Sequence, residues 1–332
     1  MAPEPARASA DARIPSWAVW ASIGGTGTVL AAILAAVGFN IAIWAVGTTL
    51  ISILVVYMWA RSVEGRRQAF DRAVSLSITS LFALAMVPLV SLLYTVVSKG
   101  LARMDAEFFT SSMRGVVGEG GGILHAAIGT FIITGVATLA SVPIGIMAAV
   151  YLHEYGKGRL KRALTFFVDV MTGIPSIVAG LFAFALFAIF FGPGIRMGVM
   201  GSVALSVLMI PIVVRSTEEM LRVVPDGLRE ASFALGVSKW RTVAKVVLPT
   251  AMTGIVTGVM LAVARIIGET APLLITTGAF SSVNLNPFSG RMENLPVFAY
   301  NQYKNPGVPP EPYIDRAWAA ALVLILIVMV LF

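Results

Sequence analysis

The sequence predicts an all-α membrane protein, a polytopic bundle of about eight transmembrane helices, and three observations carry that expectation. Hydrophobic residues make up 58% of the 332 residues and charged ones only 12%, about half the charged share usual in soluble domains. Long stretches hold no Asp, Glu, Lys or Arg, the longest being the 47 residues 14–60. The Lys and Arg residues gather in short segments between those stretches, so a net charge of +7 reads as membrane orientation rather than as a nucleic-acid surface.

The spans follow from the uncharged runs, because a helix needs about 20 residues to cross about 30 Å of hydrocarbon. Residues 14–60 are too many for one crossing and suit a hairpin of two helices from Trp17 to Trp59, turning near Gly38, Phe39 and Asn40. Residues 73–98, 120–152 and 170–195 suit one crossing each, and 197–214 is a shorter one. A seventh helix begins near Lys245 and continues to about Thr276 with two charges inside it, and an eighth runs from Trp318 to Phe332. With a cytoplasmic N-terminus, sixteen Lys and Arg residues fall on the cytoplasmic side and seven on the other, leaving Arg265 inside the membrane. That bias is the positive-inside pattern. Residues 1–16 read as a cytoplasmic tail rather than a signal peptide, because the apolar stretch after them far exceeds a signal's roughly 7–15 residues. The abrupt end at Phe332 suggests an incomplete last crossing.

Several kinds of chemistry are excluded or weakened. With no cysteine there are no disulfides, thiolate nucleophiles or thiolate metal sites. No GxxxxGK[ST] sequence occurs, so any ATP must be hydrolysed by another subunit. His125 and His153 are a membrane crossing apart, which argues against a metal pair and leaves each as an ordinary interface residue. Gly24, Gly25 and Gly27 follow no strand and form no dinucleotide motif; they read as small packing residues. Gly254 and Gly258 form a GxxxG that permits close helix packing. Glu218 and Glu219 point about 100° apart on a helix, which favours contacts with nearby arginines over acid–base work.

Two regions carry functional information. The first is the loop 215–245, where Asp226 follows Pro225 and can cap a short helix. Leu228, Ala231, Ser232 and Leu235 recur at helical spacing, and Gly236 suits a left-handed stop. Ser238 can cap the next helix, and Pro249 marks its bend into the seventh span. The segment therefore reads as an exposed amphipathic helix, with a helix lying in the lipid headgroups as the alternative. The second region is helix seven, where Arg265 and Glu269 lie four residues apart and so on one helical face. A charge at the bilayer centre costs about 2.5–3.5 kcal/mol, so such groups face a cavity or a partner. Arg presents a planar fork of donors matched to a tetrahedral oxyanion, and an adjacent acid can hold it while the path is empty. The alternative is a self-neutralising i, i+4 pair. Gly268 and Pro272 flank the two charges and favour an irregular backbone there.

Glu230, Ala231, Ser232, then Gly236, then Leu248 and Pro249 match the EAA pattern, and here the chain resembles the permeases of ABC importers. That resemblance implies that Glu230, Ala231 and Gly236 seat in a groove of an ATP-binding subunit, with Arg229 at the rim of the same coupling contact and Leu235 in its helix. RIIGETAPLL around Arg265, MTGIPSIVAGLF at 171–182, LPVFAY at 295–300, Val213 to Glu219 and VPDGLREASFALGVSKWRTVAKVVLP are similar to the PstA type of phosphate permease over residues 70–332. The resemblance implies a type I ABC importer permease fold, a six-helix core at 70–332 carrying the coupling loop at 215–245, here preceded by an extra two-helix hairpin at 17–60. It implies Arg265, Glu269 and Arg215 as substrate-pathway residues, although Arg215 equally suits a snorkelling interface position. No catalytic residue, metal or cofactor of its own is expected, ATP and Mg belonging to a partner subunit. The implied partners are a PstC-like second permease, a PstB-like ATP-binding dimer, a PstS-like extracytoplasmic phosphate-binding protein and membrane lipid, and no nucleic acid. The expected location is the cytoplasmic membrane. A permease for sulfate or molybdate, an ATP-independent secondary transporter and a non-transporting membrane scaffold are the competing readings.

Overall fold

The structure, a computed structural model, describes residues 14–331; residues 1–13 of the expected tail, and Phe332 at the expected incomplete end, lie outside them. Among the described residues, seven helical stretches are long and apolar enough to cross a membrane, and eight crossings result if one sharply bent pair counts as a single span. The described residues form two compact units, one extending to Tyr94 and one beginning at Thr95.

In the first unit, α1 (Ser16–Val37) and α2 (Ile41–Val63) make the expected hairpin, and α3 (Arg66–Gly100) follows. The chain turns at Gly38, whose φ of +124° is closed to L side chains. The Asn40 side chain then accepts from the Ala42 and Ile43 amides at 2.9 and 3.3 Å, capping α2. The helices are joined by the Trp44 indole donating to the Gly27 carbonyl at 2.8 Å and by a 2.6 Å hydrogen bond between Thr26 and Ser52. Gly27 lies against Thr48 and Trp44, whereas Gly24 and Gly25 have open space beside them, so one of the three glycines is the packing residue. At the end of α2, Glu64 accepts from two nitrogens of Arg72, each at 2.6 Å.

The second unit is organised around α5 (Leu124–Val150) and α8 (Gly198–Val223). Ile133, Ala137, Leu205, Met209 and Val213 form its core with Ala262 and Ile266 of α11 (Leu248–Ile267). Lipid tails are as apolar as leucine, so helices associate through close van der Waals contact, which small residues permit. A Cβ at Gly145 would lie 2.7 Å from Val213, at Gly258 2.7 Å from Ser216 and at Gly254 2.1 Å from Met220. Gly254 and Gly258 thus perform the expected close packing, and their partner is α8.

Four spans differ from the sequence expectation. Residues 170–195 do not form one straight crossing: α6 (Gly158–Thr172) and α7 (Ser176–Phe191) meet at 109°, because Pro175 denies its neighbour the helical conformation and lacks an amide to continue the ladder. The span expected at 197–214 runs to Val223, so Arg215 lies in α8 and not in a loop. Helix seven is broken, as described below. The last span, α14, begins at Glu311 instead of Trp318 and contains Arg316, which is 0% exposed rather than in a loop. Arg316 donates to the Gly118 and Gly120 carbonyls at 2.7 and 2.9 Å and to Gln302 at 3.1 Å, which offsets part of the cost of burying the charge, its Nη2 being without a partner among the described residues. His125 is also buried, 3.2 Å from Glu293.

Candidate functional site

The first candidate region is where helix seven breaks. α11 ends at Ile267 and a six-residue helix, α12 (Ala271–Thr276), follows. Pro272 has no amide to offer the Gly268 carbonyl and restrains Ala271, so the ladder fails at residues 268–270, between the two helices. Gly180 of α7 seats against the bend, with no room for a Cβ, which would lie 2.6 Å from the Pro272 Cα. The irregular backbone expected from Gly268 and Pro272 is present; the shared helical face of Arg265 and Glu269 is not. Glu269 lies in the break, half-buried, its amide donating to the Ile266 carbonyl at 3.1 Å. Among the described residues no ion pair joins it to Arg265.

Arg265 is exposed on the single chain, in the last turn of α11. It belongs to a stripe of uncovered residues, Thr250, Thr253, Thr257, Leu261, Arg265 and Gly268, that recurs every three or four positions along the helix. Such spacing puts all six on one face. The Thr250 and Thr257 hydroxyls return to the carbonyls of Val246 and Thr253 at 2.6 and 3.0 Å. The opposite face, with Ile255, Gly258, Ala262 and Ile266, packs into the unit's core. A stripe of hydroxyls ending in a guanidinium that is unpaired among the described residues is a poor match to hydrocarbon, where one Arg costs about 2.5–3.5 kcal/mol. Its chemistry suits a polar path or another protein surface, and the fork of Arg265 suits a tetrahedral oxyanion.

Arg215 differs. It pairs with Asp169 of α6 and, at 2.8 Å, with Glu218 one turn along α8. Glu218 therefore makes the arginine contact expected of it, and the Arg215 charge is already balanced by two carboxylates.

The second candidate region is α9 (Asp226–Ala234), a short exposed helix between α8 and α11. Gly236 takes φ +76° and ends the helix as expected, with its amide donating to the Phe233 carbonyl at 2.9 Å. Nothing lies within 4 Å of where its Cβ would be, so in this chain its role is conformational. Glu230, Ala231 and Gly236 are exposed, as are Leu228, Phe233 and Leu235, the last at 83%. Ala231, Leu235, Gly236, Arg241 and Lys245 line a shallow depression beside the helix. A small apolar face with a glutamate at its edge and a hollow beside it is a docking surface in chemistry and shape.

Three expectations are corrected here. Asp226 does not cap α9; Pro225 holds that position, and the Asp226 carboxylate accepts from Arg229 at 3.1 Å. Ser238 stands at the start of α10 (Lys239–Thr242) but makes no side-chain cap. Arg229 is not at the exposed rim: its side chain is 12% exposed and turned inward onto Glu154, at 3.0 and 3.2 Å. The carbonyls of Leu221 and Val224, which α8 leaves without amide partners at its end, draw its remaining donors at 2.9 and 2.7 Å. Glu154 was not singled out in sequence, and its position among the basic residues after helix four, HEYGKGR, was the signal available.

The chain is similar to known proteins over most of its length. Residues 141–332 match the family described as binding-protein-dependent transport system inner membrane component. The phosphate transport system permease protein PstA 1 of Mycobacterium tuberculosis (strain CDC 1551 / Oshkosh) is 48% identical over 250 residues, 74% of this chain and 81% of that protein. The phosphate transport system permease protein PstA of Mycobacterium leprae is 44% identical over 271 residues, 81% of this chain and 88% of that protein. A chain of the inward facing MetNI methionine ABC transporter overlaps with a TM-score of 0.49 at 20% identity, over 69% of this chain and 94% of that one.

Proposed function

The chain belongs to the binding-protein-dependent transport system inner membrane component family, and on that premise we propose that it is the permease subunit through which an ATP-driven importer passes inorganic phosphate across the cytoplasmic membrane. The observation that carries the reading is Arg265, an unpaired guanidinium ending a hydroxyl-bearing stripe on a membrane-spanning helix, within the matched segment. Two relatives whose names are phosphate permeases, 48% and 44% identical, support the choice of anion.

In this reading the uncovered stripe of α11 faces a homologous PstC-like permease, and the path runs between the two subunits. Arg265 offers its planar fork to phosphate oxygens, an anion-matched contact that neutral side chains cannot supply. Glu269, one backbone break away, sets the local charge that the anion must pass, so that binding stays weak enough for release. Arg215 can receive phosphate only by giving up Asp169 or Glu218, which makes it a subordinate pathway residue. The excess of basic residues in the segments on the N-terminal side of the bundle supports a cytoplasmic N-terminus, and the same orientation puts α9 in the cytoplasm. There Glu230, Ala231, Leu235 and Gly236 dock a PstB-like ATP-binding dimer, with Arg229 behind them. ATP and Mg sit in that dimer, so the chain is not itself an enzyme. A PstS-like binding protein delivers phosphate on the other side.

The test is substrate choice. Co-purified with its partner subunits and reconstituted in vesicles, the complex should take up phosphate on ATP addition in preference to sulfate and molybdate. Equal or greater uptake of either competitor would overturn the choice of substrate, and uptake without the ATP-binding subunit would overturn the ATP-driven class.

A further inference from the structure

We propose that Arg229 and Glu154 form a positioning clasp through which a push on α9 enters the bundle by way of α5 and α8. The proposal rests on the coupling role given to α9 above. Its basis is the number of elements that one guanidinium gathers. Arg229 uses all three of its nitrogens: Nε and Nη2 donate to Glu154 Oε1, Nη2 also to the Leu221 carbonyl, and Nη1 to the Val224 carbonyl and Asp226. Leu221 lies in the last turn of α8 and Val224 directly follows it, while Glu154 belongs to the π-helical segment Tyr151–Tyr155 that continues α5. With side chains 12% and 9% exposed, the two groups are largely withdrawn from water, where a charge-assisted pair is short and directional.

Glu154 holds the neighbouring element as well. Its backbone carbonyl accepts from Lys239 at the start of α10, and the Lys239 ammonium lies 5.1 Å from the centre of the Tyr155 ring. A 2.8 Å hydrogen bond between the buried Ser232 and Thr242 hydroxyls ties α9 to α10. These two short helices are thereby one piece, clipped to α5 and α8 by ionic and hydrogen-bonded contacts. Their covalent route into α11 passes instead through the π-helical segment Val243–Val247, a wider and less regular turn. The clasp adds a second, non-covalent connection into the bundle, and α5 and α8 share the core in which the arginine-bearing end of α11 is packed.

The inference separates coupling from folding in the reconstituted importer, measured as phosphate taken up per ATP hydrolysed. Arg229→Lys keeps the charge and loses the fork, and Glu154→Gln keeps the shape and loses the charge. Each variant should still hydrolyse ATP while uptake per ATP falls about tenfold, within the usual range of coupling between sites. The double variant should be no worse than either single one, because both remove the same link. Unchanged uptake per ATP in both single variants overturns the clasp. So does failure of both to assemble, since the pair would then be a folding element. Absence of ATP-driven phosphate uptake by the unsubstituted complex would instead overturn the transport reading beneath it.

Discussion

Arg215, Arg229, Arg265 and Arg316 have contrasting surroundings, and what surrounds each of these four decides what it does. Arg316 is fully buried, its Nε donating to Gln302 and its Nη1 to two glycine carbonyls, with Nη2 unpartnered among the described residues. Arg229 is turned inward onto an acid and two carbonyls. Arg215 lies between Asp169 and Glu218, with its side chain 37% exposed. Pairs this open to solvent contribute about 0–1 kcal/mol each. Replacing Arg215 with Gln removes both pairs and should therefore leave thermal stability in detergent within about 2 kcal/mol of the original and reduce uptake by less than about tenfold. A loss of uptake as complete as at Arg265 would give Arg215 an equal place in the path. Arg265 alone of the four has no carboxylate or carbonyl partner among the described residues, and it alone stands on an uncovered face.

At the scale of helices, glycine decides which elements touch. A Cβ at Gly129 would sit 1.9 Å from the backbone carbonyl oxygen of Glu293, while one at Gly254 would meet the Sδ of Met220 at 2.1 Å. Backbone cannot move aside, whereas a methionine can change rotamer. Gly129→Ala should therefore destabilise the subunit by about 1–3 kcal/mol, the range of overpacked interiors, and Gly254→Ala by clearly less. Thermal melts of the two purified variants check this order, and the reverse order would show that the α8–α11 contact is the tighter one. What was legible in sequence follows the same division between local and distant causes. The hairpin turn at Gly38–Asn40, the stop at Gly236 and the break between Gly268 and Pro272 are written in glycine, proline and asparagine, whose effect reaches a few residues. The 109° turn at Pro175 was missed because counting uncharged residues registers length and not direction. The inward turn of Arg229 depends on an acid 75 positions away, and the burial of Arg316 on a carbonyl 198 positions away, which no local pattern encodes. The joint face of Arg265 and Glu269 was drawn from an unbroken helix, and the proline that the same stretch contains cancels it.

At the scale of the whole molecule, two uncovered surfaces of the second unit carry the functional reading. One is the stripe ending in Arg265, which the chain leaves uncovered; the other is α9, which carries an exposed apolar face beside a hollow and is clipped to α5 and α8. Each is uncovered on the single chain, and under the proposed function a second permease would cover the first and an ATP-binding dimer the second. The first compact unit, ending at Tyr94, has its own hairpin packing and lies outside the matched family segment at 141–332. The transport reading therefore stands on the second unit. The most direct measurement is ATP-driven uptake of radiolabelled phosphate by vesicles holding the complete complex, with Arg265→Ala beside the original. Removal of an Arg that meets the anion should reduce uptake by about a hundredfold or more, the scale of a lost charge-assisted contact left unreplaced, while the complex still assembles. Uptake that persists undiminished in the assembled Arg265→Ala complex would contradict the account.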